Sequence, residues 1–320
     1  METALIRWLR DRLPAHPLLK LGIGDDAAIL AMQGGADCVV TVDALMDGTD
    51  FILESPHPQP FSQRAREVSA RRAGRKALAV NLSDLAAMAA EPLAAVVALV
   101  LPRDGGLEMA VELYEGMLPL AEKFGVAIAG GDTNSWDGRL VISITLLGKT
   151  SSRAPLRRGG AKPGDRILAT GSFGGSILGR HLDFEPRVAE ALLLAERYEL
   201  HAGIDVSDGL SLDLSRMAAE SDCGAMLQLD KIPISDDALR LVSQSKDGRT
   251  GLDHALSDGE DFELLLAVPP SEAARILNEK PLSIPITDIG EMISEAGLWQ
   301  REGNGEKRPL KPCGWEHEFD

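Results

Sequence analysis

Aromatic side chains are scarce in this chain of 320 residues, making up only 4% of it. No platform for stacking nucleic-acid bases is visible in consequence. Cysteine is rarer still. Cys38, Cys223 and Cys313 are far apart and form no CxxC, which argues against a disulfide framework and against a thiolate zinc site. The six histidines are scattered, with no HExxH and no HxH pair. Positive charge is in short supply too: 33 Lys and Arg stand against 49 Asp and Glu, a formal net charge of −16. Such a balance argues against nucleic acid or an anionic membrane as the partner. The longest apolar stretch, Leu93 to Leu101, falls far short of the ~20 residues that cross a bilayer. The opening METALIRWLRDRLP is charged and amphipathic and lacks the apolar core and cleavage site of a secretory signal, so a cytoplasmic protein is expected. Neither a P-loop GxxxxGK[ST] nor a Rossmann GxGxxG occurs.

What remains is an ordinary globular composition, 44% hydrophobic, in a chain long enough for two domains. Short β-rich runs stand at Asp37–Val42, Leu93–Leu101, Val126–Ala129, Leu140–Leu147, Arg166–Thr170, Ala225–Leu229 and Phe262–Val268, bounded by Gly, Asp and Pro. Between them, Leu107, Ala110, Val111, Tyr114, Leu118 and Ala121 keep helical spacing, with Pro119 expected to kink or shorten that helix. Leu210, Leu214, Met217 and Ala218 mark a second helix. Strands interleaved with helices predict a mixed α/β (α+β) protein. The segment TSSRAPLRRGGAKPGD, Thr150 to Asp165, has the composition of an interdomain crossing and divides the chain into 1–150 and 151–320. The tail from Arg301 is polar but ends in CGWEHEF, a sequence able to dock.

A series of Asp-bearing segments, read as loops, runs through the chain: Gly24-Asp25-Asp26, Thr41-Val42-Asp43, Asn81-Leu82-Ser83-Asp84, Gly130-Gly131-Asp132-Thr133, Ile204-Asp205-Val206-Ser207-Asp208-Gly209 and Ser257-Asp258-Gly259-Glu260-Asp261. Any one of them reads as an ordinary turn. Six together suggest carboxylates gathered to hold Mg²⁺, which prefers oxygen ligands. Several Mg²⁺ ions would neutralise a triphosphate and explain how so acidic a chain could bind one. Arg157 and Arg158 read equally well as a solvated linker or as a phosphate clamp. Gly171-Ser172-Phe173-Gly174-Gly175 follows a strand but has the wrong spacing for a phosphate loop, and Asp205–Gly209 lacks the oxygen pattern of an EF-hand. Asn81-Leu82-Ser83 is an incidental sequon, and Cys223 reads as a buried structural thiol.

In their order, GIGDDAAIL (22–30), VTVDALMDGTDF (40–51), KALAVNLSDLAAMAAEP (76–92), AGGDTN (129–134), RRGGAKPGDRILATG (157–171), IDVSDGLSLDL (204–214) and SDGEDFEL (257–264) resemble the thiamine-monophosphate kinase family, of the aminoimidazole-ribonucleotide synthetase superfamily. The resemblance runs over nearly the whole chain. It implies a two-domain α/β homodimer, with residues 1–150 binding ATP and Mg²⁺ and pairing through their sheets, and residues 151–320 forming a C-terminal α/β domain. It implies ATP-dependent phosphorylation of thiamine monophosphate to thiamine diphosphate by direct in-line transfer, with no nucleic acid or membrane as partner. By the same resemblance Asp26, Thr41, Asp43, Asp84, Asp132, Asp205 and Asp208 would hold several Mg²⁺ ions. Gly131, Asp132, Arg158 and Ser207 would contact ATP, and Asp50, Glu260 and Trp315 the thiamine phosphate. Asp84, Asp208 and Arg158 are the expected catalytic groups.

The chain departs from that pattern in places. Asp50 stands where the family carries His, Val42 where it carries a hydroxyl residue, and DGEDFEL where it reads GGEDYEL. The Pro- and Arg-containing segment Glu54 to Arg71 is longer than expected. Two other readings stand beside the kinase. One is a different ATP-dependent phosphotransferase or synthetase of the superfamily. The selenophosphate and carbamoyl-dehydrating branches are disfavoured, because Cys38 and Cys313 stand at the wrong places for their thiolates. The other is a catalytically silent nucleotide- or metal-binding protein, disfavoured because clustered carboxylates repel unless a cation uses them.

Overall fold

A computed structural model describes residues 2–53, 67–151, 153–245, 247–301 and 306–316. In chain order the elements of the first half are α1 (Glu2–Arg12), β1 (Leu19–Leu21), β2 (Ala28–Leu30), β3 (Cys38–Met46), β4 (Ile52–Leu53), β5 (Glu67–Val68), α2 (Ala70–Ala87), β6 (Ala90–Pro102), α3 (Gly106–Phe124), β7 (Ala127–Trp136) and β8 (Val141–Thr150). The second half continues with β9 (Arg166–Thr170), α4 (Arg180–Asp183), α5 (Val188–Arg197), β10 (Ala202–Asp205), α6 (Leu210–Glu220), β11 (Gly224–Gln228), α7 (Asp236–Gln244), α8 (Gly251–Ser257), β12 (Leu264–Val268), α9 (Pro270–Glu279), β13 (Ile286–Ile293), β14 (Gly297–Arg301) and β15 (Lys307–Pro309).

Two mostly antiparallel sheets result. The first runs β1-β2-β3-β8-β6-β7 and the second β10-β12-β9-β13-β11-β14-β15. Only the β6–β7 pair in the first and the β11–β14 pair in the second are parallel. In the first sheet burial alternates along β3, β6 and β8, as it does where one face is packed and the other is bare. One cross-strand row, Asp43, Ile144, Val97 and Gly131, lies on the packed face. The next row, Ala44, Ser143, Ala98 and Asp132, lies on the bare one. The bare face carries Val42, Met46 and Val96, all exposed.

Helix α2 covers the packed face. Ser69 caps it, its hydroxyl accepting the Arg72 N–H. From Ala73 to Ala87 almost every residue of α2 is buried, because the helix touches β3, β6 and β8 on one side and α3, α5 and β10 on the others. Gly74 and Gly116 set the crossing of α2 with α3. A Cβ on Gly74 would lie 2.1 Å from the Leu113 carbonyl oxygen, and one on Gly116 1.8 Å from that of Arg71. The apolar core built on α2 joins residues of both halves, and a second core fills the other side of the C-terminal sheet.

Several sequence expectations change. Helix α3 is not shortened at Pro119 but runs on to Phe124. Pro119 lies exposed near the end of the helix, so the missing N–H and the ring disturb little. Three of the segments read as Asp loops are regular structure: Thr41–Asp43 lies within β3, Gly130–Thr133 within β7, and Asn81–Asp84 within the last turns of α2. Strand β7 extends to Trp136 because its backbone pairs with β6, although nine of its ten side chains are exposed. Most of the Glu54–Arg71 segment lies outside the described residues. Among the described residues no helix is long and apolar enough to cross a membrane.

Candidate functional site

Four chain segments deliver five carboxylates to one place. Asp26 comes from the turn between β1 and β2, Asp43 from the packed face of β3, Asp84 from the last turn of α2, and Asp205 from the end of β10. Asp208 follows in the turn that opens α6. One oxygen from each of Asp26, Asp84 and Asp205 lies within 4.8 Å of the others. Asp26 and Asp205 are buried and Asp84 is half-buried. The backbone explains the convergence. Asp43 faces α2 by strand parity, Asp84 lies on the side of α2 turned to β3, and β10 ends against the same helix.

The electrostatics are unfavourable as they stand. Burial and the neighbouring Asp43, Asp205 and Asp26 push the Asp84 carboxyl well up. Burial and Asp26 do the same to Asp205, and burial with Asp50, Asp208 and Asp26 raises Asp43. Asp25, whose carboxylate accepts the Arg158 N–H at 3.2 Å, is pushed up to about 6 by burial and by Asp26. The partners within the chain are few. Thr41 donates its hydroxyl to Asp84, Ser83 donates to Asp205 at 2.5 Å, and the Arg158 guanidinium pairs with Asp26, its Nε at 3.1 Å. Oδ2 of Asp26 and Oδ2 of Asp43 are buried with no hydrogen-bond partner among the described residues. Unmatched buried carboxylate oxygens beside like charges are what a hard divalent cation would satisfy. The donor set, all oxygen, fits Mg²⁺.

The Ser207-Asp208 turn ties the remaining positions together. The Glu260 N–H donates to the Ser207 carbonyl at 2.6 Å, and the Trp315 N–H to the Asp208 carbonyl at 2.9 Å. The tail is therefore docked here through Cys313 and Trp315, as its sequence suggested; Cys313 exchanges two hydrogen bonds with the Ser211 hydroxyl, and residues 317–320 lie outside the described residues. Trp315 leaves 57% of its surface exposed beside this turn. Glu260 and Phe262 both adopt left-handed backbone (φ 52° and 51°), a strain that non-glycine residues tolerate where surroundings enforce it. Asp50 belongs to the turn after β3, its carboxylate accepting the Met46 N–H at 2.7 Å.

Sequence reading missed Lys76. Its side chain is buried, its ammonium pairs with Glu260, and it donates to the Asp50 carbonyl at 2.9 Å. It thus joins two substrate candidates. A lone Lys in the apolar run KALAVNLSDLAAM was the available signal. Ser83 and Asp213 were also missed. Asp213 is buried and accepts the N–H groups of Asp208 and Gly209 at 2.9 and 3.0 Å, which shapes the turn.

Two candidates do not join the cluster. Asp132 lies on the bare face of the first sheet, opposite to Asp43, and both Asp132 and Gly131 are exposed on the edge strand β7, three strands from β3. Strand parity and a separation of three strands both keep Asp132 from the other carboxylates of its own chain. Gly131 lies in the Asp43 row, and a Cβ there would meet the Val97 carbonyl oxygen at 1.7 Å. The Gly171–Gly175 loop offers no anion cradle either, because Asp261 accepts the Gly174 N–H and Asp258 the Gly175 N–H.

A family model described as AIR synthase related protein, N-terminal domain, matches residues 24–150, and its C-terminal counterpart matches residues 162–298. The chain is 44% identical to the thiamine-monophosphate kinase of Rhodopirellula baltica, over 99% of this chain and 97% of that one. It is similar to the crystal structure of thiamine-monophosphate kinase from Stenotrophomonas maltophilia, with 33% identity, a TM-score of 0.71, and 95% and 96% of the two chains covered. AaThiL complexed with AMPPCP and TMP superposes with a TM-score of 0.82 over 99% and 97% of the chains. At 24% identity that likeness concerns the fold.

Proposed function

The chain belongs to the AIR synthase related protein family, and from that premise we propose that it is a kinase transferring the γ-phosphoryl group of ATP to thiamine monophosphate, giving thiamine diphosphate and ADP. The observation that carries this reading is the meeting of Asp26, Asp84 and Asp205, from segments up to 179 positions apart, with one buried oxygen of Asp26 and one of the neighbouring Asp43 unpartnered among the described residues. The full-length similarity to a curated thiamine-monophosphate kinase supports the choice of acceptor.

The chemistry asks little of acid–base groups. An oxygen of the acceptor phosphate, already an anion, forms a bond to the γ-phosphorus. The bond from that phosphorus to the bridging oxygen breaks, and ADP leaves with the electron pair. The barrier is the approach of two polyanions. Mg²⁺ held by Asp26, Asp43, Asp84, Asp205 and Asp208, with the Thr41 hydroxyl beside them, would neutralise the phosphate oxygens. Arg158 is placed to exchange Asp26 for a phosphate oxygen, as a planar guanidinium does well. Ser207 offers its hydroxyl at the same turn. Glu260, held by Lys76, Asp50 and the exposed Trp315 ring would form the wall for the thiamine moiety.

We place the division of labour at residues 1–150, for nucleotide, metal and dimer contacts, and 151–320, for the C-terminal unit. The extents of the two family models support it. The bare apolar face around Val42, Met46 and Val96 supports a homodimer in which a second copy covers it, so that Gly131 and Asp132 serve the nucleotide across copies. The cytoplasm is the compartment that supplies the ATP.

The test is ADP release by the purified protein with excess Mg²⁺ and ATP. Turnover is expected only when thiamine monophosphate is added, and it should disappear with EDTA. Absence of acceptor-dependent ADP under those conditions rejects the assignment. ADP formation with another phosphorylated acceptor would point to a sister reaction on the same scaffold.

A further inference from the structure

Arg216, two turns into α6, places one nitrogen, Nη1, between two carboxylates: it pairs with Oδ2 of Asp208 and lies 2.8 Å from Oδ1 of Asp213. The two partners are unequal. Asp213 is buried and immobile, because its other oxygen accepts the N–H groups of Asp208 and Gly209. The Asp208 side chain is about 29% exposed at the lip of the cluster, close enough to Asp43 to raise the cost of its ionisation. Arg216 is itself 24% exposed, so it has room to move. A guanidinium shared in this way can give up one carboxylate and keep the other.

We propose that Arg216 is an internal counter-ion: it occupies Asp208 while the metal site is empty and withdraws to Asp213 when Asp208 turns to a divalent cation. This rests on the reading of the acidic cluster as a Mg²⁺ site. The arrangement relieves repulsion in the metal-free protein and makes each metal-binding event displace a charge already present. A fixed positive charge beside a cation site also weakens it by direct Coulomb repulsion. Arg216 therefore tunes the cluster towards looser, exchangeable binding, as suits a metal that arrives and leaves with a nucleotide.

The measurement is Mn²⁺ binding to the whole protein, by titration of free Mn²⁺ with electron paramagnetic resonance and competition by Mg²⁺, without ATP or acceptor. Arg216→Gln retains a donor to Asp213 but loses the charge. It is expected to bind Mn²⁺ roughly three- to tenfold more tightly than the wild type. A disrupted fold would weaken binding, so a gain is the opposite of structural damage. Arg216→Met, with no donor, serves as the second variant and should show the same direction. Equal or weaker binding in a folded variant, judged by its circular dichroism, overturns the counter-ion role and leaves the metal site standing. A wild-type protein that binds no Mn²⁺ overturns both the metal reading and this one.

Discussion

Buried carboxylates occur in two neighbouring regions of this molecule, and they are treated in opposite ways. Behind the Gly171–Gly175 loop each is saturated. Glu263 accepts from Arg187 through both oxygens and from the Thr170 hydroxyl at 2.7 Å. Asp261 accepts from Arg180 at 2.6 Å and from the Gly174 N–H. In the cleft formed by β3, α2 and β10, Asp26 and Asp43 each keep an oxygen with no partner among the described residues, and five carboxylates share two guanidiniums, Arg158 on Asp26 and Arg216 on Asp208, and the hydroxyls of Thr41 and Ser83. Saturated carboxylates hold a fold together. Unsaturated ones detract from its stability and are explained by a ligand that is not part of the chain.

The sharpest way to break this contrast is a pair of isosteric changes. Asp205→Asn in the cleft should lower kcat/KM at saturating Mg²⁺ by about a thousandfold, with a melting temperature unchanged or raised, since it removes a repelling charge. Glu263→Gln should do the reverse. Stripping the carboxylate from the buried Arg187 pair should lower unfolding free energy by about 3 kcal/mol, while the folded fraction retains its KM for both substrates. Equal losses of stability in the two variants, read by chemical denaturation, would erase the distinction.

Proton linkage gives a smaller effect of definite sign. Asp25 is raised to about 6, and Asp43, Asp84 and Asp205 are raised as well, all by burial and by one another. An unfolded Asp titrates near pH 4, so between about pH 4 and 6 the folded state binds more protons than the unfolded chain. The contribution of these groups to stability is complete below that window; the part due to Asp25 and Asp43 is lost as pH rises through about 6, and the part due to Asp84 and Asp205, which are raised well above the ordinary carboxylate range, is lost at higher pH. In EDTA the melting temperature should fall as pH rises through that range, and Asp213 and Asp261, raised by burial to about 7 and about 8, should carry the fall on past it. Added Mg²⁺ should raise it more at pH 8 than at pH 5, because ionised carboxylates bind the metal. A Mg²⁺ shift independent of pH would count against the cleft as the metal site. The smallest change expected is at the rim. Asp50→His, the residue that the family resemblance led us to expect there, removes a negative charge from the proposed acceptor wall and should lower the KM for thiamine monophosphate a few-fold, leaving the KM for ATP unaltered. An equal shift in both constants would mean that Asp50 is not an acceptor contact.

Much of the site was legible as motif but not as geometry. The residues of the cluster lie in segments whose spelling could be recognised, and the docking of Cys313 and Trp315 was expected of the tail, although backbone hydrogen bonds and not apolar burial hold them. The local structure of those segments was less accessible. Gly and Asp normally signal turns, so Gly130–Thr133 read as a loop. In the fold the same residues extend β7, because strand pairing with β6 outweighs their poor β propensity. Asn81-Leu82-Ser83-Asp84 likewise read as a loop, whereas the packing of α2 on the first sheet and on α3 and α5 makes it helix. The exchange between Lys76 and Glu260 joins positions 184 residues apart, and no local pattern encodes such a contact.

The sequence by itself determined which chemistry is available: oxygen ligands in abundance, few thiols and imidazoles, no phosphate-binding loop, and an overall negative charge that only cations could reconcile with a nucleotide. Tertiary structure decided which carboxylates act as a group. A strand sends alternate residues to opposite faces, so Asp43 enters the cleft while Asp132 points away from it. A helix packed on most of its sides brings Asp84 to the end of a strand at Asp205, 121 positions further on. Composition sets the charges; pleat, register and packing set the distances between them, and the distances decide whether a charge is a brace or a binding site.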